Sequence, residues 1–165
     1  MVRTRRYMAG CFGIDPTGSA LSSHHSRPLL SACLIVKNES EHLERCLASL
    51  AAYVDEIVVV DTGSTDDTLQ IARRFTDKVV ETKWTDDFAF HRNQSLDLAS
   101  GEWLLVVDAD EELAPLDIKE TRFHLANDKD NAAGVVRNII KQVGGASQSV
   151  LIPRLIRKDS GIRFI

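Results

Sequence analysis

The stretch Gly101–Glu112, G-E-W-L-L-V-V-D-A-D-E-E, leaves this chain little freedom in how it folds. Trp103 to Val107 is an unbroken apolar run, too short for a comfortable helix and rich in residues that suit a buried strand. It stops on Asp108, Ala109 and Asp110. If the extended backbone continues for two more residues, side-chain alternation puts both carboxylates on one face. They then project from the end of a central strand, where an open α/β sheet keeps its ligand crevice. Charges of one sign held this close repel, so the pair asks for a cation. A hard divalent ion shared with phosphate oxygens suits it.

Spacing alone does not carry that reading. Asp128 and Asp130 repeat the Asp-x-Asp pattern inside Asn127-Asp-Lys-Asp-Asn131, but no apolar strand precedes them, and they read as a solvated loop. With 24 acidic residues in 165, such a repeat is expected by chance. Glu111 and Glu112 do not turn the pair into a calcium loop either. An EF-hand needs Gly where Leu113 stands and an acid where Lys119 stands.

Around that stretch the chain alternates between two periodicities. Residues 32–36 form a first apolar strand, closed by Lys37-Asn38-Glu39. Asn38 and Glu41 have capping-box spacing, and Leu43, Cys46, Leu47 and Leu50 predict a helix over 40–53. Glu56 to Asp61 is a second strand, Gly63-Ser64 turns the chain, and Ser64 or Thr65 caps a helix striped by Leu69, Ala72 and Phe75. A brief strand over 78–81 follows, then a helix over 88–99 that Ser100-Gly101 terminates. Beyond the central strand, 115–125 reads as a helix. Residues 134–143 and 150–157 read as an antiparallel hairpin at the sheet edge, joined through Gly144-Gly145-Ala146-Ser147. The expected class is α/β, a mostly parallel sheet flanked by helices with a C-terminal antiparallel hairpin.

Parallel strands end on the same side, so Lys37-Asn38-Glu39, Asp61 and Asp108 gather along one rim. Asp61-Thr62-Gly63-Ser64 also matches the active-site loop of aspartic proteases, a remote alternative. That chemistry needs two such loops in an all-β fold, whereas this single copy runs straight into a helical pattern. Trp84 and Phe88 are expected in the core rather than as a platform for a sugar. Arg92 has a bland reading as a cation on a helix surface.

A net charge of −4 argues against a nucleic-acid partner. Cys11, Cys33 and Cys46 cannot all pair within one chain, and Cys33 and Cys46 lie in apolar patterns, so buried thiols in a reducing cytoplasm are expected. No run approaches a membrane span, and peripheral attachment to the inner membrane face is the only membrane role retained. Residues 1–29 carry four arginines against one aspartate and a Ser-rich His24-His25 segment. They read as a disordered extension or cloning remnant, too poor in apolar residues for a signal peptide.

Four separated motifs then point one way: A-C-L-I-V-K-N-E, R-C-L-A-S-L, V-D-E-I-V-V-V-D-T-G-S-T-D-D-T, and H-R-N-Q-S-L-D-L-A-S-G-E-W-L-L-V-V-D-A-D-E-E. In this order, over residues 31–113, they resemble the nucleotide-binding half of family 2 glycosyltransferases, in the style of bacterial lipopolysaccharide-core and tetratricopeptide-fused members. The resemblance implies a GT-A fold over 30–165 and inverting transfer of a sugar from a nucleotide-diphosphate donor, a UDP-sugar first, to a saccharide, lipid-linked or protein acceptor. It implies that Val36, Lys37, Asn38 and Glu39 cradle the base and that Asp61 contacts uracil or ribose. Arg92 and Asn93 would line the base or diphosphate pocket, with Ser64 and Ala109 counted among the nucleotide-binding residues. Asp108 would bond the ribose or a metal-bound water, and Asp110 would ligate Mn²⁺ or Mg²⁺. The family's general base is expected beyond Ile165, since Asp117, Asp128, Asp130 and Asp159 sit in no motif for it. A donor-binding module without turnover is therefore the alternative, with self-association through the hairpin an added expectation.

Overall fold

Four apolar segments that end on polar residues become the parallel part of one six-stranded sheet. The computed structural model describes residues 27–113, 118–140 and 148–165. Its strands are β1 (Leu30–Val36), β2 (Glu56–Asp61), β3 (Val79–Glu81), β4 (Trp103–Val107), β5 (Ala133–Ile140) and β6 (Gln148–Arg157), in the spatial order β3-β2-β1-β4-β6-β5. β3, β2, β1 and β4 run parallel, and β6 joins β4 antiparallel with β5 outside it. This is the expected class, hairpin included. The helices are α1 (Leu43–Leu50), α2 (Thr68–Ala72), α3 (Phe88–Leu98) and α4 (Ile118–Asn127).

Strand alternation sorts the core into two layers. Leu30, Ala32, Leu34 and Val36 face the side packed by Leu43, Cys46, Leu47 and Leu50 of α1, Ile71 and Ala72 of α2 and Leu125 of α4. Cys33, Val58, Leu104 and Val106 face the other side, against Leu96 of α3 and Ile156 of β6. Both cysteines are free and buried, as expected for Cys33 and Cys46, and burial pushes each thiol up to about 12.

Local chemistry departs from the expectation at three places. α1 begins at Leu43 with no side-chain cap, because Asn38 is turned elsewhere. At φ 54° Asn38 adopts a left-handed conformation, which its short amide tolerates, and its Oδ1 accepts from Thr65 N at 2.8 Å. α2 is capped neither by Ser64 nor by Thr65; Asp66 Oδ1 accepts from Thr68 N at 3.1 Å. Gly101 does not terminate α3 through a positive φ, since the helix ends on Ala99 in extended backbone. Its missing Cβ instead lets β1 come close. The expected helix start at 115, with Asp117, and the hairpin loop 144–147 lie outside the described residues, as does the 1–29 extension apart from 27–29. There Pro28 O and Leu29 O accept from Glu102 N and Trp103 N, and Arg27 pairs with Asp159.

A polar lock closes the sheet end opposite the strand-end rim. Glu56 accepts from Ser31 Oγ (2.6 Å), Ser100 N (2.7 Å), Ser100 Oγ (2.6 Å) and Lys78 Nζ (2.5 Å). Burial alone would raise this carboxyl, but those bonds outweigh it and bring it down from 4.5 to about 2. The folded state therefore binds its proton more weakly than the unfolded chain. The stabilisation is complete above pH ~4.5 and is lost as pH falls towards 2, worth up to ~3 kcal/mol at ~1.4 kcal/mol per unit. Glu56→Gln is expected to flatten the fall in melting temperature between pH 5 and 3. An unchanged pH profile in that variant would count against the lock.

Candidate functional site

The C-terminal ends of β1, β2 and β4 open into a cavity of about 590 Å³. β1 supplies Ile35, Val36 and Lys37, the following turn adds Glu39 and His42, and Thr62 follows β2. Asp108, Ala109 and Asp110 follow β4, and Trp84, Phe88 and Arg92 close the α3 side. Seven residues expected from sequence thus share one cavity: Val36, Lys37, Glu39, Arg92, Asp108, Ala109 and Asp110. Ile35, His42, Thr62, Trp84 and Phe88 are additions to that set.

The two acids reach the cavity by a route other than strand alternation. Extended backbone stops at Val107, and a turn closes with Glu111 N donating to Asp108 O at 3.0 Å. Asp108 is not left to repel its neighbour. Arg92, buried on α3, donates to Asp108 Oδ1 and to Val107 O (3.3 Å). Arg154 of β6 donates to Asp108 Oδ2 (2.8 Å) and Glu111 Oε1 (2.9 Å). Partial burial raises the Asp108 carboxyl, and the Arg92 charge with the Arg154 bonds overrides it, holding it below the usual carboxylate range. Arg154 escaped the sequence reading because it lies 46 residues from its partner. The one available signal was a guanidinium inside the otherwise apolar run Val150 to Ile156.

Asp110 is exposed and, among the described residues, makes no hydrogen bond or ion pair. No group of three or more metal-binding side chains occurs among the described residues. At the β4 end the cavity offers a metal one free carboxylate, Asp110, beside a second, Asp108, that is already compensated. That donor set fits a hard divalent ion whose remaining ligands are phosphate oxygens and water.

Asp61 lies behind Thr62, 1% exposed. Its Oδ1 accepts from Gly63 N (2.8 Å) and Ser64 N (2.9 Å), shaping a turn in which Gly63 adopts φ 104°. Its Oδ2 is buried with no partner among the described residues. Asn38 and Ser64 do not line the cavity; Ser64 Oγ accepts from Asn38 N at 2.9 Å and ties the loop after β1 to the loop after β2. Glu39 N to Thr68 Oγ1 (2.7 Å) and Ser40 N to Asp66 Oδ2 (3.1 Å) continue the seam. Asn93 stands outside the cavity wall, exchanging two bonds of 3.0 Å with the backbone of Phe164. Asp128 is used locally by Asp130 N and Asn131 N, and Asp159 by Arg27, so neither reaches the cavity.

Trp84 and Phe88 are not core residues. Phe88 is 61% exposed and Trp84 half-buried, because the first turn of α3 overhangs the cavity rather than the sheet. Their rings meet edge to face at 5.3 Å and 79°. Trp84 also stacks on buried His91 at 5.0 Å and 18°, and its indole N–H donates to Asp86 Oδ1 at 2.7 Å. Thr85 N–H donates to His91 Nε2 (3.3 Å), which holds the loop onto α3.

The mostly parallel α/β sheet, with acids and a buried arginine at one strand-end cavity, has the GT-A architecture. The chain belongs to Glycosyl transferase family 2, whose model matches residues 31–161. It is 41% identical over 137 residues to a TPR repeat-containing protein of Synechococcus elongatus, covering 82% of this chain and 33% of that protein. It is 39% identical over 85 residues to the SPbeta prophage-derived glycosyltransferase SunS of Bacillus subtilis, covering 50% of this chain and 20% of SunS. Among solved structures it resembles S. aureus TarS 1–349 with a TM-score of 0.54 and 27% identity, over 72% of this chain and 37% of that one. The UDP complex of the same TarS fragment superimposes with a TM-score of 0.54 at 25% identity, over the same shares of the two chains. The chain thus spans about a third or less of the length of these curated relatives. Among the described residues no helix is long and apolar enough to cross a membrane.

Proposed function

We propose that residues 30–165 form a donor domain that binds a nucleoside-diphosphate sugar, a UDP-sugar first, for inverting, metal-assisted transfer to a saccharide, lipid-linked or protein acceptor. The observation that carries this reading is the cavity in which Asp110 stands free beside the twice-paired Asp108 and Arg92. The UDP complex of a structural relative supports the choice of nucleotide. Asp110, with Asp108 beside it, would hold Mn²⁺ or Mg²⁺, and the ion supplies positive charge for the departing diphosphate. Arg92 and Arg154 keep Asp108 ionised and aimed, so one acid position is set before any ligand arrives. Lys37 adds a cation on the β1 side, and Val36, Glu39 and Thr62 line the wall beside it. In the transfer, the bond from the anomeric carbon to the diphosphate oxygen breaks as the acceptor oxygen attacks from the opposite face and its hydroxyl proton passes to a general base, a role assigned to no described residue. The two buried free thiols support a cytoplasmic setting.

Asp61 does not line the cavity, so its variant tests whether the buried, unpartnered Oδ2 serves a nucleotide at all. Asp61→Asn keeps the Oδ1 bonds to Gly63 and Ser64 and changes only the unpartnered oxygen. UDP affinity measured by calorimetry is expected to fall about tenfold or more, on the scale of ~1.5–3 kcal/mol for a hydrogen bond to a charged group. The melting temperature should hardly move. A large loss of stability at unchanged affinity would make Asp61 a turn residue only. Consumption of a panel of nucleotide sugars then identifies the donor.

A further inference from the structure

The side chains along the cleft follow one another in a chemical order. Asp110 and Asp108 lie at the β4 end, and Arg92 bonds Asp108 from α3. Phe88 stands four residues before Arg92 on the same helix, hence one turn along it, and Trp84 is edge to face with Phe88. The sequence of groups is acid, guanidinium, aromatic corner. For a nucleotide bound with its diphosphate at the acids and Arg92, that corner lies in the same cavity.

The corner is built before any ligand arrives. One face of Trp84 is covered by His91 and its N–H is used by Asp86, and both contacts restrain the ring. Phe88, by contrast, lines the cavity and is largely exposed. An aromatic ring fixed at a cavity wall and left to water is poor packing but a good surface for a flat ligand. We propose that Phe88 and Trp84 form a stacking corner for the donor's nucleobase, with His91 and Asp86 as the residues that position Trp84. The assignment rests on the donor reading above.

Trp84 and Trp103 are the only tryptophans. Trp103 is buried beneath Arg157, with its N–H donating to Leu125 O, so ligand-dependent emission reports Trp84. The experiment titrates UDP, UDP-glucose and pyrophosphate, each with Mn²⁺, into the unaltered chain, Phe88→Leu and Trp84→Phe, with calorimetry in parallel. UDP and UDP-glucose are expected to quench the unaltered chain alike, and Trp84→Phe should lose that signal. Phe88→Leu keeps apolar bulk without an aromatic face and should weaken UDP about tenfold while leaving pyrophosphate unchanged. Unchanged UDP affinity in Phe88→Leu, or an equal loss for UDP and pyrophosphate, would overturn the corner and leave the donor site standing. Quenching by UDP-glucose without quenching by UDP would assign the corner to the sugar and overturn the base. Failure of both UDP and pyrophosphate to bind the unaltered chain would remove the donor reading itself.

Discussion

Asp110→Ala is expected to abolish the gain in UDP affinity that Mn²⁺ brings. Among the described residues, Asp110 is the only carboxylate on the cavity wall at the β4 end that no arginine already holds, because Asp108 is shared between Arg92 and Arg154. Altering residues that merely orient metal ligands typically costs 10–100-fold in metal affinity or activity. Losing a direct ligand should sit at or beyond the top of that range, about 100-fold. Stability should change little, since Asp110 is exposed and makes no hydrogen bond or ion pair among the described residues. Calorimetry with UDP, with and without Mn²⁺, in the unaltered chain and the variant decides the matter. Equal metal enhancement in both would place the ion elsewhere.

The second large effect concerns the fold. A Cβ at Gly101 would overlap Ser31 Oγ and would lie 2.9 Å from Ser31 N and 3.0 Å from Trp103 O. Two of those three atoms are backbone in paired strands and cannot swing aside. The Ser31 hydroxyl is itself fixed, accepting from Gly101 N (2.9 Å) and donating to Glu56. Gly101→Ala should therefore push β1 from β4 at their N-terminal ends. The expected loss is about 3 kcal/mol, the upper part of the usual range for overpacking, or roughly 10 °C in melting temperature for a chain of this size. Adding Ser31→Gly removes the hydroxyl clash but not the backbone ones, so it should restore only part of the loss. Gly63 offers the contrast, because no neighbour stands within 4 Å of a Cβ there and only its φ of 104° resists substitution. A Gly101→Ala variant that melts with the unaltered chain would refute the close approach.

The strands were legible because each is a short apolar run closed by a charged or turn residue, and parallel order follows from the helices between them. The cavity positions of Arg92, Asp108 and Asp110 were legible through their motifs, whereas Asp61, read the same way, does not line the cavity. Other features depend on what meets what across the chain. Asn38 has the spacing of a helix cap, yet its amide is taken by Thr65, a partner 27 residues away. Gly101 sits where a helix-ending glycine belongs, but its reason is a serine 70 residues earlier. Phe88 has the hydrophobicity of a core residue, and only the overhang of α3 puts it in the cavity. Periodicity reports which face of an element is apolar; it does not say where an element runs past the sheet it packs on.

The seam between the loops after β1 and β2 has a thermodynamic consequence. Asn38, Glu39 and Ser40 are bonded to Ser64, Thr65, Asp66 and Thr68, so two connections that could each wander are tied into one lip. The conformational entropy of ordering that lip is surrendered when the protein folds, not when a ligand enters. Val36 and Thr62, which flank the seam on the cavity wall, meet the ligand already in place, so this side of the cleft is preorganised and its affinity owes little to induced ordering.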